Sequence, residues 1–138
     1  MSVGDFTFFD EPGILKEVGR TTRKAFSRVG AFTRRTTQQS MKRRAGASPA
    51  GTPPNAHGGQ QLRKLQYFGW DSTTASMVCG PLAFGKKGAP LEEYGGQASI
   101  VLPNGRTVTA SYPARPSVGP AFQSELSRLD EHFAAAQR

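Results

Sequence analysis

The stretch between residues 14 and 44 constrains the fold more than any other part of the chain. Its apolar and small residues recur at intervals of three and four, which is the spacing of one face of an α-helix. These residues are Leu15, Val18, Thr22, Ala25, Phe26, Val29, Phe32, Thr33 and Thr36. The spacing predicts one long helix with its apolar stripe turned inward. Gly19, Gly30 and the Thr-rich residues 33–40 have low helix propensity, so we expect a bend or break in its second half.

The same stretch carries most of the positive charge. No acidic residue occurs between Glu17 and Asp71, whereas eleven lysines and arginines do. The rest of the chain holds seven Lys or Arg against ten Asp or Glu, so the net charge of +8 belongs to one region. A basic surface of this kind indicates a polyanion or an acidic protein as partner. The predicted surface consists of Arg20, Arg23, Lys24, Arg28, Arg34, Arg35, Lys42, Arg43 and Arg44.

The chain divides into a short N-terminal arm, residues 1–12, and one domain, residues 13–138, because 138 residues suffice for a single core. Three aromatic residues of the arm either pack on that core or dock on a neighbouring subunit: Phe6, Phe8 and Phe9. The sequence shows neither a signal peptide nor a stretch long enough to span a bilayer, so we expect a cytosolic protein.

Residues 46–61 are predicted to form an extended loop. Three prolines and four glycines exclude a helix or an interior strand here. The composition is typical of a disordered linker, whereas Thr52-Pro53-Pro54 favours polyproline geometry, which orders on a partner at low entropic cost. In the second interpretation the loop docks on a partner through Pro49, Thr52, Pro53, Pro54 and His57.

A first β-hairpin is predicted after the loop. Residues 62–70 and 75–79 have the character of strands, and the polar residues 71–74 form the turn between them. The aromatic residues of this hairpin are expected to belong to the core: Tyr67, Phe68 and Trp70. Residues 82–96 are expected to be irregular, apart from one helical turn at 90–94.

A second hairpin and a second helix complete the chain. Residues 99–102 and 107–112 flank Asn104-Gly105, the preferred pair of a type I′ turn. Residues 119–136 form an amphipathic helix whose apolar face is Val118, Phe122, Leu126, Leu129 and Phe133. The predicted fold is α+β: a long N-terminal helix, a four-stranded antiparallel sheet of two hairpins, and a C-terminal helix.

The sequence contains no recognisable catalytic or metal-binding pattern. His57 lies in the loop and His132 on the predicted polar side of the last helix, and neither has a partner at metal-ligand spacing. Glu92 and Glu93 are adjacent and are expected to be solvated and to point apart. Cys79, the single cysteine, excludes an internal disulfide and is expected to be an inert buried thiol. We therefore expect a protein that is not an enzyme and uses no cofactor.

The basic helix is also compatible with two other partners, a nucleic acid and a membrane surface. A dense run of positive charge gives strong, salt-dependent affinity for the phosphates of DNA or RNA, although the interleaved aromatic residues of single-strand binders are sparse. A basic amphipathic helix can also lie on a membrane surface, although this apolar stripe is thin and rich in Ala and Thr.

Several short motifs follow one another in a specific order. After the long helix and the Pro/Gly loop, Gly59 precedes Leu62-Arg63 at the start of the first strand, and Gly80-Pro81 closes the second. Residues 91–96 read Leu-Glu-Glu-Tyr-Gly-Gly, and residues 112–121 contain Ala-Arg-Pro-Ser-Val-Gly-Pro-Ala. Over residues 13–125 this order resembles that of the tail-component and virion-morphogenesis proteins of tailed bacteriophages.

The resemblance implies a structural virion protein: a ring-forming homo-oligomeric subunit of the head–tail connector, or neck, that acts in tail completion. It implies contacts with portal, adaptor, stopper, tail-tube or terminator proteins, non-specific contact with packaged DNA, and no membrane partner. The implied location is the neck of the virion, after assembly in the host cytoplasm. The alternative, from charge alone, is a basic structural protein that binds DNA or RNA non-specifically.

Overall fold

The computed structural model describes residues 10–56, 61–82 and 85–138, without the side chains of residues 61 and 85–89. Its elements are α1 Glu11–Ser40, α2 Gln61–Lys64, β1 Gln66–Asp71, β2 Ser76–Pro81, α3 Gly85–Tyr94, β3 Gly96–Val101, β4 Thr107–Tyr112, α4 Val118–Leu126 and α5 Leu129–Ala136. This confirms the predicted α+β class, with a long N-terminal helix and two antiparallel hairpins. Phe6, Phe8, Phe9 and His57 lie outside the described residues.

Helix α1 begins at a side-chain cap and runs without interruption for 30 residues. Asp10 Oδ1 accepts a hydrogen bond from the Gly13 N–H at 3.1 Å, which satisfies one of the free donors of the first turn. The expected break does not occur. Gly30 costs about 1 kcal/mol in helix propensity, but a Cβ there would lie 2.7 Å from Phe68 Cδ2 and 3.0 Å from Met77 Sδ. The glycine therefore lets the first hairpin pack closely on the helix.

The core is built on the second half of α1. Ala25, Val29, Thr33 and Thr37 are fully buried along one face, with β1 and β2 packed on this helix as well as α4 and α5. The ring of Phe26 lies 6.4 Å from that of Trp70 and 6.1 Å from that of Phe133, measured between centroids. This aromatic cluster joins the helix, the first hairpin and the C-terminal segment.

The two hairpins form separate two-stranded sheets, not the single four-stranded sheet that the sequence suggested. The β1–β2 hairpin packs on α1, whereas the β3–β4 hairpin makes its main contacts within itself. Helix α3 lies between the two hairpins in the chain and occupies ten residues that were expected to be largely irregular. Strand β1 also begins later than predicted, since residues 62–64 are helical.

The turn of the second hairpin differs from the type I′ prediction. The Leu102 carbonyl accepts from the Gly105 N–H at 2.9 Å, and the Leu102 N–H donates to the Arg106 carbonyl at 2.8 Å. Gly105 has a φ of 77°, whereas Asn104 is not in the positive-φ region that type I′ requires. This is a type I turn followed by a left-handed glycine. Pro103 explains it, because proline favours the first central position of a type I turn.

The C-terminal segment is two helices and not one. Helix α4 ends at Leu126 and α5 begins at Leu129. The Ser124 hydroxyl donates to the Ala121 carbonyl at 2.8 Å and the Ser127 hydroxyl to the Ser124 carbonyl at 2.7 Å, and such bonds compete with the helical ladder. The fully buried positions are Ala121, Glu125, His132 and Ala136, whereas the predicted apolar face is only half-buried.

Candidate interaction surfaces

Four of the predicted basic residues line a groove between α1 and α5. Arg20, Arg23, Lys24 and Arg28 provide its charged side, and Ala135 and Ala136 of α5 also line it, in a volume of about 460 Å³. The spacing of three and four residues places these cations on one face of the helix. We call this feature the basic groove. A groove with a row of cations beside two alanines can accommodate a negatively charged polymer or protein segment.

One of these cations is already paired. The Arg20 guanidinium contacts the Glu17 carboxylate through two bonds of 2.9 and 2.5 Å, and this hydrogen bonding lowers the pKa of Glu17. More than half of each side chain is exposed, so the pair adds little to stability. Across the described ranges, no salt bridge involves Arg23, Lys24 or Arg28. The guanidinium of Arg28 lies 5.9 Å from the centre of the Phe32 ring. Three positive charges of the groove are therefore available to a partner.

Arg34 belongs to the packing of its own domain rather than to the exposed surface predicted for it. Its Nε donates to the Gln66 carbonyl at 2.7 Å, and its guanidinium lies 5.5 Å from the centre of the Tyr67 ring. Gln66 is 1% exposed, so its carbonyl has little access to water. The contact holds β1 against α1.

We expect Arg34→Glu to lower the free energy of unfolding by about 2 kcal/mol, because a charge-assisted hydrogen bond and a cation–π contact are lost together. Arg35→Glu is the matched control, since Arg35 is the next residue of the same helix and is exposed. Urea denaturation followed by circular dichroism measures both. Equal stability of the two variants would contradict the assigned role of Arg34.

The remaining basic residues lie beyond the groove. Lys42, Arg43 and Arg44 follow the end of α1 and are exposed, as is Arg35. They extend the positive surface from the second half of α1 into the loop that follows it. The predicted basic surface therefore consists of an ordered groove, one structural arginine and an exposed basic strip.

The described part of the Pro/Gly loop is ordered against its own chain, which contradicts the disordered-linker interpretation for residues 46–56. The Gly51 N–H donates to the Ala114 carbonyl at 2.8 Å, and Arg115 Nε donates to the Ser48 carbonyl at 2.9 Å. Of the predicted docking residues, Pro54 is buried and Pro53 half-buried, whereas Pro49 and Thr52 are exposed. Within residues 46–56, the exposed residues 49–52 are open to a partner.

Glu93 caps helix α4, although the sequence suggested a solvated side chain. Its Oε2 accepts from the N–H groups of Ser117 at 2.9 Å and Val118 at 3.2 Å, and its Oε1 accepts from Gly119 at 2.6 Å. A carboxylate at this position satisfies the free donors of the first turn and complements the helix dipole. One sequence feature could have indicated this contact: the first turn of α4 has no acidic residue of its own, so an acidic side chain from elsewhere can complement the helix dipole.

His132 is buried, and its predicted place on the polar side of the last helix is wrong. Its Nε2 lies 2.9 Å from Oε2 of Glu125, and the two side chains are 3% and 6% exposed. The imidazole also contacts the ring of Phe32, with centroids 5.4 Å apart. The buried positions Ala121, Glu125 and His132 each lie one residue before a predicted apolar position, so both helices turn a neighbouring face to the core.

Several large apolar side chains of the described residues are exposed, including Tyr67 and Phe68, which were expected to lie in the core, and two groups of them form patches. The helix-start patch, Ile14, Leu15 and Val18, is 46%, 62% and 56% exposed, although the sequence placed this stripe inward. The hairpin patch is the cross-strand pair Ile100 and Val108, which are 40% and 39% exposed on the same face of β3–β4. Apolar groups that lie together in this way are candidate surfaces for contact with other proteins.

The remaining side-chain chemistry is sparse. In the three described ranges, no group of three or more His, Cys, Asp or Glu side chains is placed to hold a metal ion. None of the helices in those ranges has the length and apolar character needed to cross a bilayer. Burial raises the pKa of the half-buried Cys79 thiol, which keeps it protonated and weakly nucleophilic.

Comparison of the chain with protein families, with curated proteins and with solved structures finds no match.

Proposed function

We propose that this protein is a structural subunit of a tailed-bacteriophage neck, which forms a ring at the head–tail junction and acts in tail completion. The observation that carries the proposal is the separation of two kinds of surface on one small domain. The basic groove lies on the middle of α1 and on α5, whereas the apolar patches lie on the start of α1 and on the second hairpin. A subunit with such surfaces can bind its own kind and a polyanion at once.

The apolar patches are the proposed contacts between neighbouring subunits. A two-stranded hairpin is marginally stable when it stands alone in water, and β3–β4 contacts the rest of the domain weakly. Packing against a second copy of the protein would bury Ile100 and Val108 and would thereby stabilise the hairpin. A head-to-tail contact of this kind closes into a ring when its rotation allows.

We assign the basic groove to contact either with the DNA inside the ring or with the proteins next to the ring. Packaged DNA meets it without sequence preference, because only phosphate charge is recognised. An acidic surface of a portal, adaptor, stopper or tail-tube protein meets the same charges. In this proposal the protein performs no catalysis and needs no cofactor, and it is a component of the virion assembled in the host cytoplasm.

The positions of the motifs support the proposal. Gly80-Pro81 stands at the end of β2, residues 91–96 join α3 to β3, and residues 112–121 lead from β4 into α4. The resemblance to virion-morphogenesis proteins likewise puts Gly80-Pro81 at the end of the second strand and residues 112–121 at the entry to the last helix.

The purified chain is expected to form closed rings, and Val108→Lys to reduce the ring fraction more than tenfold. Burying a valine contributes about 1.5–3 kcal/mol, and each 1.4 kcal/mol is a tenfold change in association. Thr109→Lys is the matched control, because Thr109 points to the opposite face of the same strand. Negative-stain microscopy and light scattering measure the ring fraction. A wild-type chain that stays monomeric while binding DNA tightly would overturn the proposal.

The second candidate is a basic structural protein that binds nucleic acid non-specifically, which the unpaired cations of the basic groove favour. The two candidates differ in their oligomeric state and in their salt dependence. A nucleic-acid binder acts as a monomer or dimer whose affinity for duplex DNA falls steeply with salt, whereas a neck subunit forms rings in the absence of DNA.

A further inference from the structure

The second hairpin projects from the domain. In its outer half, residues 99–102 and 107–109 are exposed, so both faces of the two-stranded sheet meet solvent there. Its main contacts are between its own two strands. Each strand has six residues, which corresponds to a length of about 20 Å. The hairpin therefore offers, besides its faces, two edges at which a further strand can pair.

The hydrogen bonds of the turn show which backbone groups point to those edges. The Leu102 N–H donates to the Arg106 carbonyl at 2.8 Å, which makes these two residues a hydrogen-bonded pair. Hydrogen-bonded and non-hydrogen-bonded pairs alternate along an antiparallel ladder, and the six pairs of β3 and β4 follow one another without a bulge. Every second pair, beginning with Val101 and Thr107, therefore turns its N–H and C=O groups outward. These residues are Gln97, Ser99 and Val101 on β3, and Thr107, Thr109 and Ser111 on β4.

The outward groups have no partner in the described part of the chain. No hydrogen bond of the described residues joins the backbone of these six to a residue outside the hairpin, and all six are exposed. Unpaired groups at a sheet edge are a template for another strand, and proteins commonly protect such edges with lysines, prolines or bulges. Neither β3 nor β4 contains a charged residue or a proline. Both edges of this hairpin are therefore open to pairing.

The distribution of charge indicates what pairs with these edges. The chain has a net charge of +8, so its basic surface repels a second copy. The hairpin residues 96–112 carry one charge, at Arg106 in the turn, so a second hairpin meets no such repulsion along the strands. The two edges also complement each other in direction. Because β3 and β4 are antiparallel, β4 of one copy runs antiparallel to β3 of the next copy when both hairpins point the same way.

We propose that the protein assembles by strand addition: β4 of one copy pairs with β3 of the next and extends the hairpin into a sheet shared by the subunits. This inference rests on the proposed function, since it describes how the subunits of the ring join. The three outward residues of each strand form about six backbone hydrogen bonds per contact. Such main-chain bonds supply affinity. Because the two edges differ, the contact is head-to-tail and leaves one β3 and one β4 unpaired until the ring closes.

Hydrogen exchange in the intact wild-type chain tests the pairing directly. In the assembled protein, the amides of Ser99 and Thr109 are expected to exchange at least tenfold more slowly than in protein diluted to the monomer. The amides of Ile100 and Val108 serve as the reference, because they are bonded within the hairpin in both states. Mass spectrometry with fragmentation to single residues measures the four rates.

Proline at an outward position removes the N–H of the edge without removing a bond of the hairpin itself. Thr109→Pro blocks the β4 edge and Ser99→Pro blocks the β3 edge, and each is expected to lower the ring fraction more than tenfold. Thr109→Ala and Ser99→Ala keep the N–H, so these matched controls are expected to assemble as the wild type does. Analytical ultracentrifugation measures the assembly of all four variants.

A mixture of the two proline variants guards against a loss of folding. The mixture is expected to form dimers and nothing larger, because β4 of the Ser99→Pro copy pairs with the intact β3 of the Thr109→Pro copy. Both remaining edges of that dimer are blocked. An unfolded variant would form no such dimer, so its appearance shows that both chains are folded.

The outcomes separate this inference from the proposed function. Rings whose outward amides exchange freely, and that persist in both proline variants, overturn strand addition and leave the proposed function standing. Proline variants that keep the wild-type circular dichroism spectrum but form no dimer when mixed also overturn strand addition. A wild-type chain that stays monomeric overturns both and leaves the edges to a strand of another protein. Protected amides in an open filament support strand addition and count against the ring.

Discussion

Glu125→Ala is expected to lower the free energy of unfolding by about 3–5 kcal/mol. Glu125 and His132 are almost fully buried, and their oxygen and nitrogen atoms lie 2.9 Å apart. Removing one member of a buried pair leaves the other without a partner in a site from which water is excluded. The loss also reaches α1, because the His132 ring packs against Phe32. Urea denaturation monitored by circular dichroism measures the change.

The control for this variant is Glu131→Ala on α5, the helix that carries His132. Glu131 also forms a salt bridge, to Arg128 at 2.7 Å, but both side chains are at least half exposed, so little loss of stability is expected. A double variant, Glu125→Leu with His132→Leu, is expected to recover much of the stability, since replacing both members of a buried pair by apolar groups is often neutral. If Glu125→Ala were no less stable than Glu131→Ala, the burial of this pair would contribute nothing.

The elements that the sequence predicted well depend on local patterns. The three- and four-residue spacing around Ala25 and Val29 placed α1 to within a few residues of its observed bounds. Alternation of apolar and polar residues located β4 at Thr107–Tyr112, as predicted. Both signals arise from the geometry of a single helix or strand, so they need no knowledge of the rest of the fold.

The features that the sequence did not reveal are contacts between distant residues. Glu93 bonds to residues that are 24 to 26 positions away, and Arg34 bonds to Gln66 at a separation of 32. The local sequence around Glu93 and Arg34 would be the same if both side chains were solvated and made no such bonds. Only the contact of Glu93 with the start of α4, and the packing of β1 against α1, decide between the alternatives.

The helix-start patch illustrates the same limit in another way. The apolar stripe of α1 extends to Leu15 and Val18, and periodicity correctly places these residues on a helix. Periodicity does not show whether this stripe is buried, because burial depends on which elements pack against that end of the helix. In the structure the C-terminal helices and the first hairpin cover the part of α1 that includes Ala25 and Val29. The part of the apolar stripe that extends beyond these covering elements is therefore a candidate for contact with another subunit.

Reversing two charges of the basic groove is expected to have the largest effect on function. Arg23→Glu with Lys24→Glu should weaken binding to duplex DNA by about one to two orders of magnitude at moderate salt. The slope of log affinity against log salt should fall by about two, because each lost phosphate contact removes about 0.9. Fluorescence anisotropy at several salt concentrations measures both quantities. The fold is expected to be retained, since both side chains are exposed.

The control variant reverses the same number of charges elsewhere. Lys64→Glu with Arg106→Glu alters two exposed cations outside α1 and α5, so it changes the net charge equally and spares the groove. In the proposed neck role, phage carrying the groove variant should assemble filled heads to which tails do not attach, whereas the control should give a normal infectious yield. Because long-range attraction depends on net charge and groove contacts depend on position, equal defects in the two variants would reject the groove as the binding site.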